Sequence, residues 1–438
     1  MSEVRVLAVA GRPILYSRSP ELFRAGFRAS GISAVYTRLA VRDARDIKVL
    51  ADSLELAGMN ITSPFKEEII PLLDGLDPTA RTIGAVNVVV RKKGRLVGYN
   101  TDYLGVVNAL RARGVALRGR RALVLGAGGA ARAAVFGLLL AGSRVTIVNR
   151  TASKAESIAR RAGCAWIPWD RKDDAVLNSE IIVSCRSVPE RAFDPKLLRS
   201  DHAVLDALYP ESRLVEDAGN LGCTVLSGRD WLLHQAAPGF ELMTGFPCPV
   251  QALERALAEE HPIRFKKAIA LIGFMGSGKS ALGRLLARKT GRRHLDTDDL
   301  IESMTGLGVP EIFARSGEAG FRTIEKKVIG SLDFAPDEIV SLGGGAVLDP
   351  DSRAVIGAKA LSFWIYADPG SVEDRVPPGS RPLLDRKSPA DRAEVLFRSR
   401  ISAYAATADA VIFNDGRPQD LEAAVQRIEY EIRQSLHS

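Results

Sequence analysis

The sequence predicts an α/β protein with mainly parallel sheets, and three observations carry that expectation. Short apolar runs alternate with longer amphipathic stretches along the whole chain. Two glycine-rich turns, at 126–131 and 273–280, each follow an apolar run and open a helical pattern. A polar stretch at 259–265, containing Pro262, separates a long first part from a shorter second part.

The strands are read in order at Val4–Ala10, Val35–Val41, Ala122–Gly126, Val145–Val148, Ile181–Ser184, Val204–Asp206, Ile269–Ile272, Ile339–Ser341 and Leu361–Tyr366. Each is a run too short for a stable helix and is bounded by polar or turn residues. A length of 438 residues suggests two or three domains. The expected division is an N-terminal α/β substrate domain over 1–103, completed by 235–258, and a nucleotide-binding domain over 104–234. A linker over 259–265 and a final domain over 266–438 follow.

Hydrophobic residues make up 46% and charged residues 26%, which suits packed cores and excludes collagen-like, disordered and disulfide-framework classes. The net charge is +8. Residues 266–438 carry 24 basic and 24 acidic side chains, so the whole excess lies in 1–265. Within 81–132, eleven basic residues face one acid, Asp102. Solvated loops plus an anionic ligand account for this, and no nucleic-acid partner is expected. Cys164, Cys185, Cys223 and Cys248 are scattered, so four buried thiols are expected rather than zinc or disulfides. The N-terminus runs directly into an apolar strand, and the longest apolar stretches, such as Ala133–Ala141, are too short to span a bilayer. The expectation is a cytoplasmic protein with no membrane partner. Its oligomeric state is left open.

The first turn reads Gly126-Ala127-Gly128-Gly129-Ala130-Ala131 after a strand and before a helix. Glycines there allow a tight turn and close approach to a pyrophosphate, and the helix N-terminus favours the anion. This is a Rossmann dinucleotide site. The next strand ends in Asn149-Arg150-Thr151. An NAD site usually carries an acid at this place, whereas Arg150 suits a 2′-phosphate, so NADP(H) is the expected cofactor. Lys154, one turn on, can assist, with a solvated helix face as its alternative.

Upstream and downstream lie Tyr16-Ser17-Arg18-Ser19-Pro20, Asn60-Ile61-Thr62-Ser63-Pro64-Phe65-Lys66, Gly84-Ala85-Val86-Asn87, Asn100-Thr101-Asp102 and Gln235-Ala236-Ala237-Pro238-Gly239-Phe240. In order and spacing these segments resemble the shikimate dehydrogenase family across nearly all of 1–258. The resemblance implies that Lys66 and Asp102 form the catalytic pair beside the carbonyl being reduced. It implies that Ser17 and Ser19 bind the substrate carboxylate. Thr62, Asn87 and Gln235 would read ring hydroxyls, joined by Tyr209, for which packing is the alternative. Four departures stand out. Tyr16 replaces the usual His, and Val88 the usual Thr. Gly239 replaces a second glutamine, and Ser184–Glu190 replaces the segment lining the nicotinamide.

The second turn, Gly273-Phe274-Met275-Gly276-Ser277-Gly278-Lys279-Ser280, is a P-loop opening a helix at Ala281. Its N–H groups cradle phosphates, Lys279 neutralises their charge, and Ser280 is a ligand type suited to Mg²⁺. The segments after it are Asp296-Thr297-Asp298, Gly317-Glu318 through Phe321-Arg322 to Glu325, Gly343-Gly344-Gly345, Arg381-Pro382 and Arg400-Ile401-Ser402-Ala403-Tyr404. Together with the P-loop they resemble shikimate kinase over 266–438, a P-loop domain of the nucleoside-monophosphate-kinase type. The resemblance implies that Asp298 takes the proton of the attacking hydroxyl and that Asp296 joins the Mg²⁺ shell. Arg322 and Arg400 would clamp the substrate carboxylate, and Gly343–Gly345 would line its ring. Arg381, in a Pro/Gly-rich lid over 376–382, would stabilise the transferring phosphoryl group.

The two resemblances imply a bifunctional enzyme of aromatic amino acid biosynthesis. It would reduce 3-dehydroshikimate with NADPH and then phosphorylate shikimate with ATP and Mg²⁺. Two alternatives are a dehydrogenase half acting on quinate as well as shikimate, and a metabolite-sensing regulator built from enzyme-derived domains. Retention of Lys66, Asp102, Lys279, Asp298 and Arg381 speaks against the regulator.

Overall fold

The apolar runs become strands. In the computed structural model, which describes residues 4–186, 188, 190–208, 212–371, 375, 389–414 and 418–436, the first strands are β1 (Arg5–Gly11), β2 (Ala34–Ala40), β3 (Gly58–Ile61) and β4 (Gly75–Leu76). Next come β5 (Val88–Lys92), β6 (Arg95–Tyr99), β7 (Arg121–Leu125), β8 (Arg144–Val148), β9 (Ala165–Ile167) and β10 (Ile181–Ser184). The last are β11 (Ala203–Asp206), β12 (Thr224–Leu226), β13 (Ala268–Ile272), β14 (Arg293–Asp296), β15 (Glu338–Ser341), β16 (Ala360–Tyr366) and β17 (Ala410–Phe413). All nine strands expected from apolar runs are among them.

The chain divides into two compact units, one comprising 1–20, 33–57 and 260–437. Its strand order is β14-β15-β13-β16-β17-β2-β1, with every pairing parallel. All seven residues of β16 are buried, as a central parallel strand covered on both faces requires. Trp364 on β16 stacks on Tyr404 with ring centroids 5.2 Å apart. The pairing of β17 with β2 sets Val411 opposite Leu39 and Ile412 opposite Ala40. Just before β17, both oxygens of Asp409 lie 2.8 Å from Lys266 Nζ, and one also accepts from Ser362 N at 2.9 Å. This ion pair is buried, and its extra hydrogen bonds offset part of the desolvation cost. The sheet that carries the P-loop strand β13 therefore also contains the two N-terminal strands.

The other unit comprises 21–32 and 58–259. It has a small sheet ordered β3-β5-β6-β4 and a six-stranded parallel sheet ordered β12-β11-β10-β7-β8-β9. The β5–β6 hairpin turns at Lys93 and Gly94, both with positive φ, which matches the twist of the flanking strands. Residue 103 lies inside the helix Asp102–Ala112, so the chain is helical where a domain division was expected. That helix packs closely on the helix Gly228–Thr244. A Cβ at Gly105 would stand 2.6 Å from the Trp231 ring. The long helix begins with a capping box between Ser227 and Asp230, which fixes the rotation that buries Gln235.

Only Cys223 is buried, which corrects the expectation of four buried thiols. Cys248 lies in the polar turn after the helix Gly228–Thr244, and Cys164 directly follows the glycine that ends another helix. Turn positions of this kind are only half covered. Among the described residues, no helix is long and apolar enough to cross a membrane.

Candidate functional site

Two sets of site residues are assembled, one in each unit. In the second unit, Lys66 follows β3 and Asp102 opens the helix Asp102–Ala112. Lys66 Nζ donates to Asp102 Oδ2 at 2.6 Å. Their side chains are 17% and 7% exposed, so the pair is shielded from water but still reachable by a ligand. The other carboxylate oxygen accepts from Asn87 Nδ2 at 3.0 Å. The same Nδ2 lies 3.0 Å from Thr101 Oγ1 and from Gln235 Oε1. An amide has two hydrogens, so three acceptors share two donors and a ligand oxygen can enter the network. Asn87 is fixed in turn, since its Oδ1 accepts from Thr101 N at 2.7 Å and its backbone oxygen accepts from Asn60 Nδ2 at 3.2 Å. The structure thus brings together Lys66, Asp102, Asn87 and Gln235. Thr62 is half-buried just past β3, where its carbonyl accepts from Phe65 N. Tyr209 lies outside the described residues.

Thr101 and Asn60 stood in the quoted motifs without a role. Trp231, which donates from Nε1 to Asp102 O at 3.1 Å, carried no sequence signal at all. Ser17 and Ser19 belong to the other unit. Their hydroxyls lie 3.4 Å apart at the start of the helix Ser19–Ser30, and Ser19 is buried.

The turn Gly126-Ala127-Gly128-Gly129-Ala130 joins β7 to the helix Gly129–Leu140. Gly126 has φ of 123°, and a Cβ there would press on the Cys185 carbonyl at 3.0 Å. At Gly129 a Cβ would stand 3.1 Å from Lys66 Cβ, so its absence lets the helix N-terminus approach Lys66. This open cradle beside a helix N-terminus fits a pyrophosphate. Arg150 and Lys154 are exposed at the end of β8 and the start of the next helix. Asn149 Nδ2 donates to Thr151 O at 3.0 Å. Arg186 stands over the Trp169 ring at 5.7 Å, and burial followed by the nearby Arg150 charge lowers its pKa. A second cation beside Arg150 suits a doubly charged phosphate, and only its place in the departing segment had marked it. Arg132 lies 3.1 Å from Glu67 Oε2. Cys185 is half-buried as a residue, yet the burial of its thiol pushes the pKa far up, so it remains protonated.

In the first unit, the P-loop follows β13. Gly273, Gly276 and Gly278 all have positive φ, and a Cβ at Gly273 would stand 2.5 Å from Ile365 O. Ser277 is fully buried, and no partner is found for its Oγ. Lys279 Nζ donates to Gly273 O and Phe274 O at 2.9 Å each, curling over the loop interior. The helix Lys279–Thr290 places the first N–H groups, including those of Ser280 and Ala281, toward the same space. Ser280 Oγ lies 2.5 Å from Asp296 Oδ2, and a hydroxyl with a carboxylate is the hard oxygen set that Mg²⁺ prefers. Among the described residues no group of three or more His, Cys, Asp or Glu forms a metal cluster.

Beside the loop is an open pocket lined by Asp298, Arg322, Glu325, Gly343–Gly345 and Arg400. A Cβ at Gly345 would lie 2.1 Å from Arg322 Cζ, so the guanidinium rests directly on the glycine backbone. At Gly343 a Cβ would meet Glu325 Oε1 at 2.3 Å and Asp298 Oδ1 at 3.2 Å. Arg322 pairs with Glu325 at 2.5 Å, and Arg400 Nη1 donates to Gly344 O at 3.2 Å. Tyr404 also donates to Gly344 O. Burial pushes its pKa up to about 12, so it stays a donor. Glu325 and Tyr404 were legible only as motif letters. Asn414, whose amide donates to Ser277 O at 2.8 Å from beyond β17, had no sequence signal. Of the expected residues of this site, Arg381 alone lies outside the described residues, with all of 376–382.

Three family models match the chain. They are "Shikimate dehydrogenase substrate binding domain" over 9–89, "Shikimate / quinate 5-dehydrogenase" over 109–203 and "Shikimate kinase" over 275–433. A curated relative, the shikimate dehydrogenase (NADP(+)) of Aquifex aeolicus, is 33% identical over 265 residues, covering 59% of this chain and 98% of its own. The crystal structure of shikimate 5-dehydrogenase from Thermus thermophilus in complex with NADP(H) and shikimate is similar at TM-score 0.53 and 32% identity. It covers 58% of this chain and 98% of its own. A quinate dehydrogenase from Corynebacterium glutamicum in complex with NAD is similar at TM-score 0.54 and 28% identity, over 57% of this chain and 98% of its own. The first two family models span Lys66 and the glycine turn at 126–131, and the last part of the chain is matched by a different family. The chain therefore belongs to the shikimate dehydrogenase family and continues, in the same polypeptide, into a shikimate kinase domain.

Proposed function

We propose that this chain catalyses two consecutive steps, reduction of 3-dehydroshikimate to shikimate with NADPH and phosphorylation of shikimate with ATP and Mg²⁺. One observation carries the reading. A shielded lysine–aspartate pair beside a dinucleotide turn and a P-loop beside an arginine-lined cavity occur in one chain. The functional division assigned is 1–258 for reduction, with 104–234 binding the dinucleotide, and 266–438 for phosphoryl transfer.

NADPH supplies the hydride when bound. Lys66 donates the proton to the forming hydroxyl oxygen, and Asp102 holds the ammonium charged and aimed. Asn87 and Gln235, with Thr62, orient the ring through its hydroxyls. By their motif, Ser17 and Ser19 are assigned to the substrate carboxylate and Tyr209 to the ring. Arg150, Arg186, Lys154 and Asn149 are assigned to the 2′-phosphate end, with Thr151 in the same turn.

In phosphoryl transfer, Asp298 accepts the proton of the attacking hydroxyl. Arg322 and Arg400 fix the shikimate carboxylate, a match of guanidinium fork to carboxylate geometry. Glu325 holds Arg322 in place. Lys279 neutralises charge on the transferred group, Ser280 and Asp296 hold Mg²⁺, and Arg381 is assigned to the phosphoryl oxygens.

Incubation with 3-dehydroshikimate, NADPH, ATP and Mg²⁺ should yield shikimate 3-phosphate. Accumulation of shikimate alone, or no NADPH oxidation, would refute one half or the other. A second reading, oxidation of quinate as well, is favoured by the likeness to a quinate dehydrogenase and by the departing segment around Arg186. Comparing kcat/KM for quinate and shikimate with NADP⁺ decides between them.

A further inference from the structure

The loop between β1 and the helix Ser19–Ser30 carries Ser17 and Ser19, and it has no strand partner of its own. Its buried polar groups are met from the far end of the sequence. Glu431, on the C-terminal helix Pro418–Leu436, is fully buried, and its Oε2 accepts from Ile14 N at 2.7 Å and Leu15 N at 3.1 Å. His261, in the linker, lies with Nε2 2.9 Å from Leu15 O. A carbonyl only accepts, so Nε2 carries the proton. Arg38 on β2 is also buried. It donates through Nε and Nη2 to Ser17 O at 3.0 and 2.7 Å, and through Nη1 to Asp409 O at 3.3 Å. Ser17 N donates to Ile14 O at 3.0 Å, so any displacement at 14–15 is passed directly to Ser17.

A carboxylate taken out of water is costly unless it is hydrogen-bonded. Glu431 meets that cost with two N–H groups of one loop, 416 and 417 positions away. Those two donors would themselves be orphaned without it. Burial pushes the Glu431 pKa up against the pull of these two bonds. None of them touches the P-loop or the arginine-lined cavity, so the kinase chemistry gives no reason for this carboxylate.

We propose that Glu431 and His261 are positioning residues of the dehydrogenase, and that the C-terminal half of the chain thereby sets the dehydrogenase's affinity for its substrate. The proposal rests on the assignment of Ser17 and Ser19 to the substrate carboxylate.

The test uses the full chain and reads shikimate oxidation with NADP⁺ and shikimate phosphorylation with ATP side by side. Glu431→Ala should raise the dehydrogenase KM for shikimate about tenfold, the loss of one to two such bonds, with kcat and the KM for NADP⁺ within about twofold. Glu431→Gln keeps an acceptor oxygen and should restore KM to within about threefold of the parent. His261→Ala should raise the same KM about threefold. Kinase kcat/KM should stay at the parental value in all three, which also reports that the C-terminal helix is still packed.

An unchanged shikimate KM in Glu431→Ala and His261→Ala overturns the proposal. So does a KM for NADP⁺ that rises in step with that for shikimate. If Glu431→Ala loses both activities through misfolding, His261→Ala decides by the same criterion. Failure of the underlying assignment looks different, because Ser17→Ala and Ser19→Ala would then leave the KM for shikimate at the parental value.

Discussion

Asn87 shows how one side chain organises the reducing site. Its amide faces Asp102, Thr101 and Gln235 at once, and its carbonyl oxygen is tied to Thr101 N. Lys66 then completes the carboxylate's coordination from the opposite oxygen. Lys66→Ala should lower kcat for dehydrogenation by about 10²–10⁴-fold while phosphorylation stays within about twofold. Lys279→Ala should do the converse, and paired assays of the two variants check both. Gly345 makes a separate prediction. A methyl group there would overlap the Arg322 guanidinium. Gly345→Ala should raise the kinase KM for shikimate about tenfold and leave the KM for ATP unchanged, the cost of displacing one charge-assisted contact. Residues whose chemistry is local to a motif were legible in the sequence, as with Lys66, Asp102 and Lys279. Trp231 and Asn414 were not, because their partners lie 129 and 137 positions away and an indole or an amide carries no periodic signal.

Most strands built on an apolar run were legible, and β16 is the clearest of them. The β5–β6 hairpin was not, because Val88–Val90 passes directly into Arg91 and Lys92, so the run looks too short. Nor was β17, because a run of four apolar residues alone cannot be told from a buried turn of helix. Its anchorage can be tested. Lys266→Met would leave Asp409 buried with only its Ser362 bonds, a loss of about 3 kcal/mol in local stability. The expected readout is a matching fall in hydrogen-exchange protection of the β17 amides, with the β7–β12 amides unaffected.

For the whole molecule, the +8 charge says less than its placement. The part assigned to phosphoryl transfer, 266–438, carries no net charge, although its nucleotide is as anionic as NADPH, so the placement of a few cations matters more than the overall balance. Chelation of Mg²⁺ with EDTA should abolish phosphorylation and leave NADPH oxidation at its starting rate, since only Ser280 and Asp296 are assigned to the metal. The domain order in the sequence suggested two bodies in succession, and sequence periodicity has no means of showing that β2 and β17 are neighbours. That neighbourhood has a consequence during synthesis. The edge of β2 waits unpaired until Ala410–Phe413 leave the ribosome, some 370 residues later. At about 5–20 residues per second this is roughly 20–75 s, whereas every strand of the unit built from 58–259 is available well before the end. Nascent chains stalled at residue 260 should therefore show protease-resistant β7–β12 and a protease-sensitive N-terminus. Full-length release should then protect β1 and β2, so these two early strands are the last to become native.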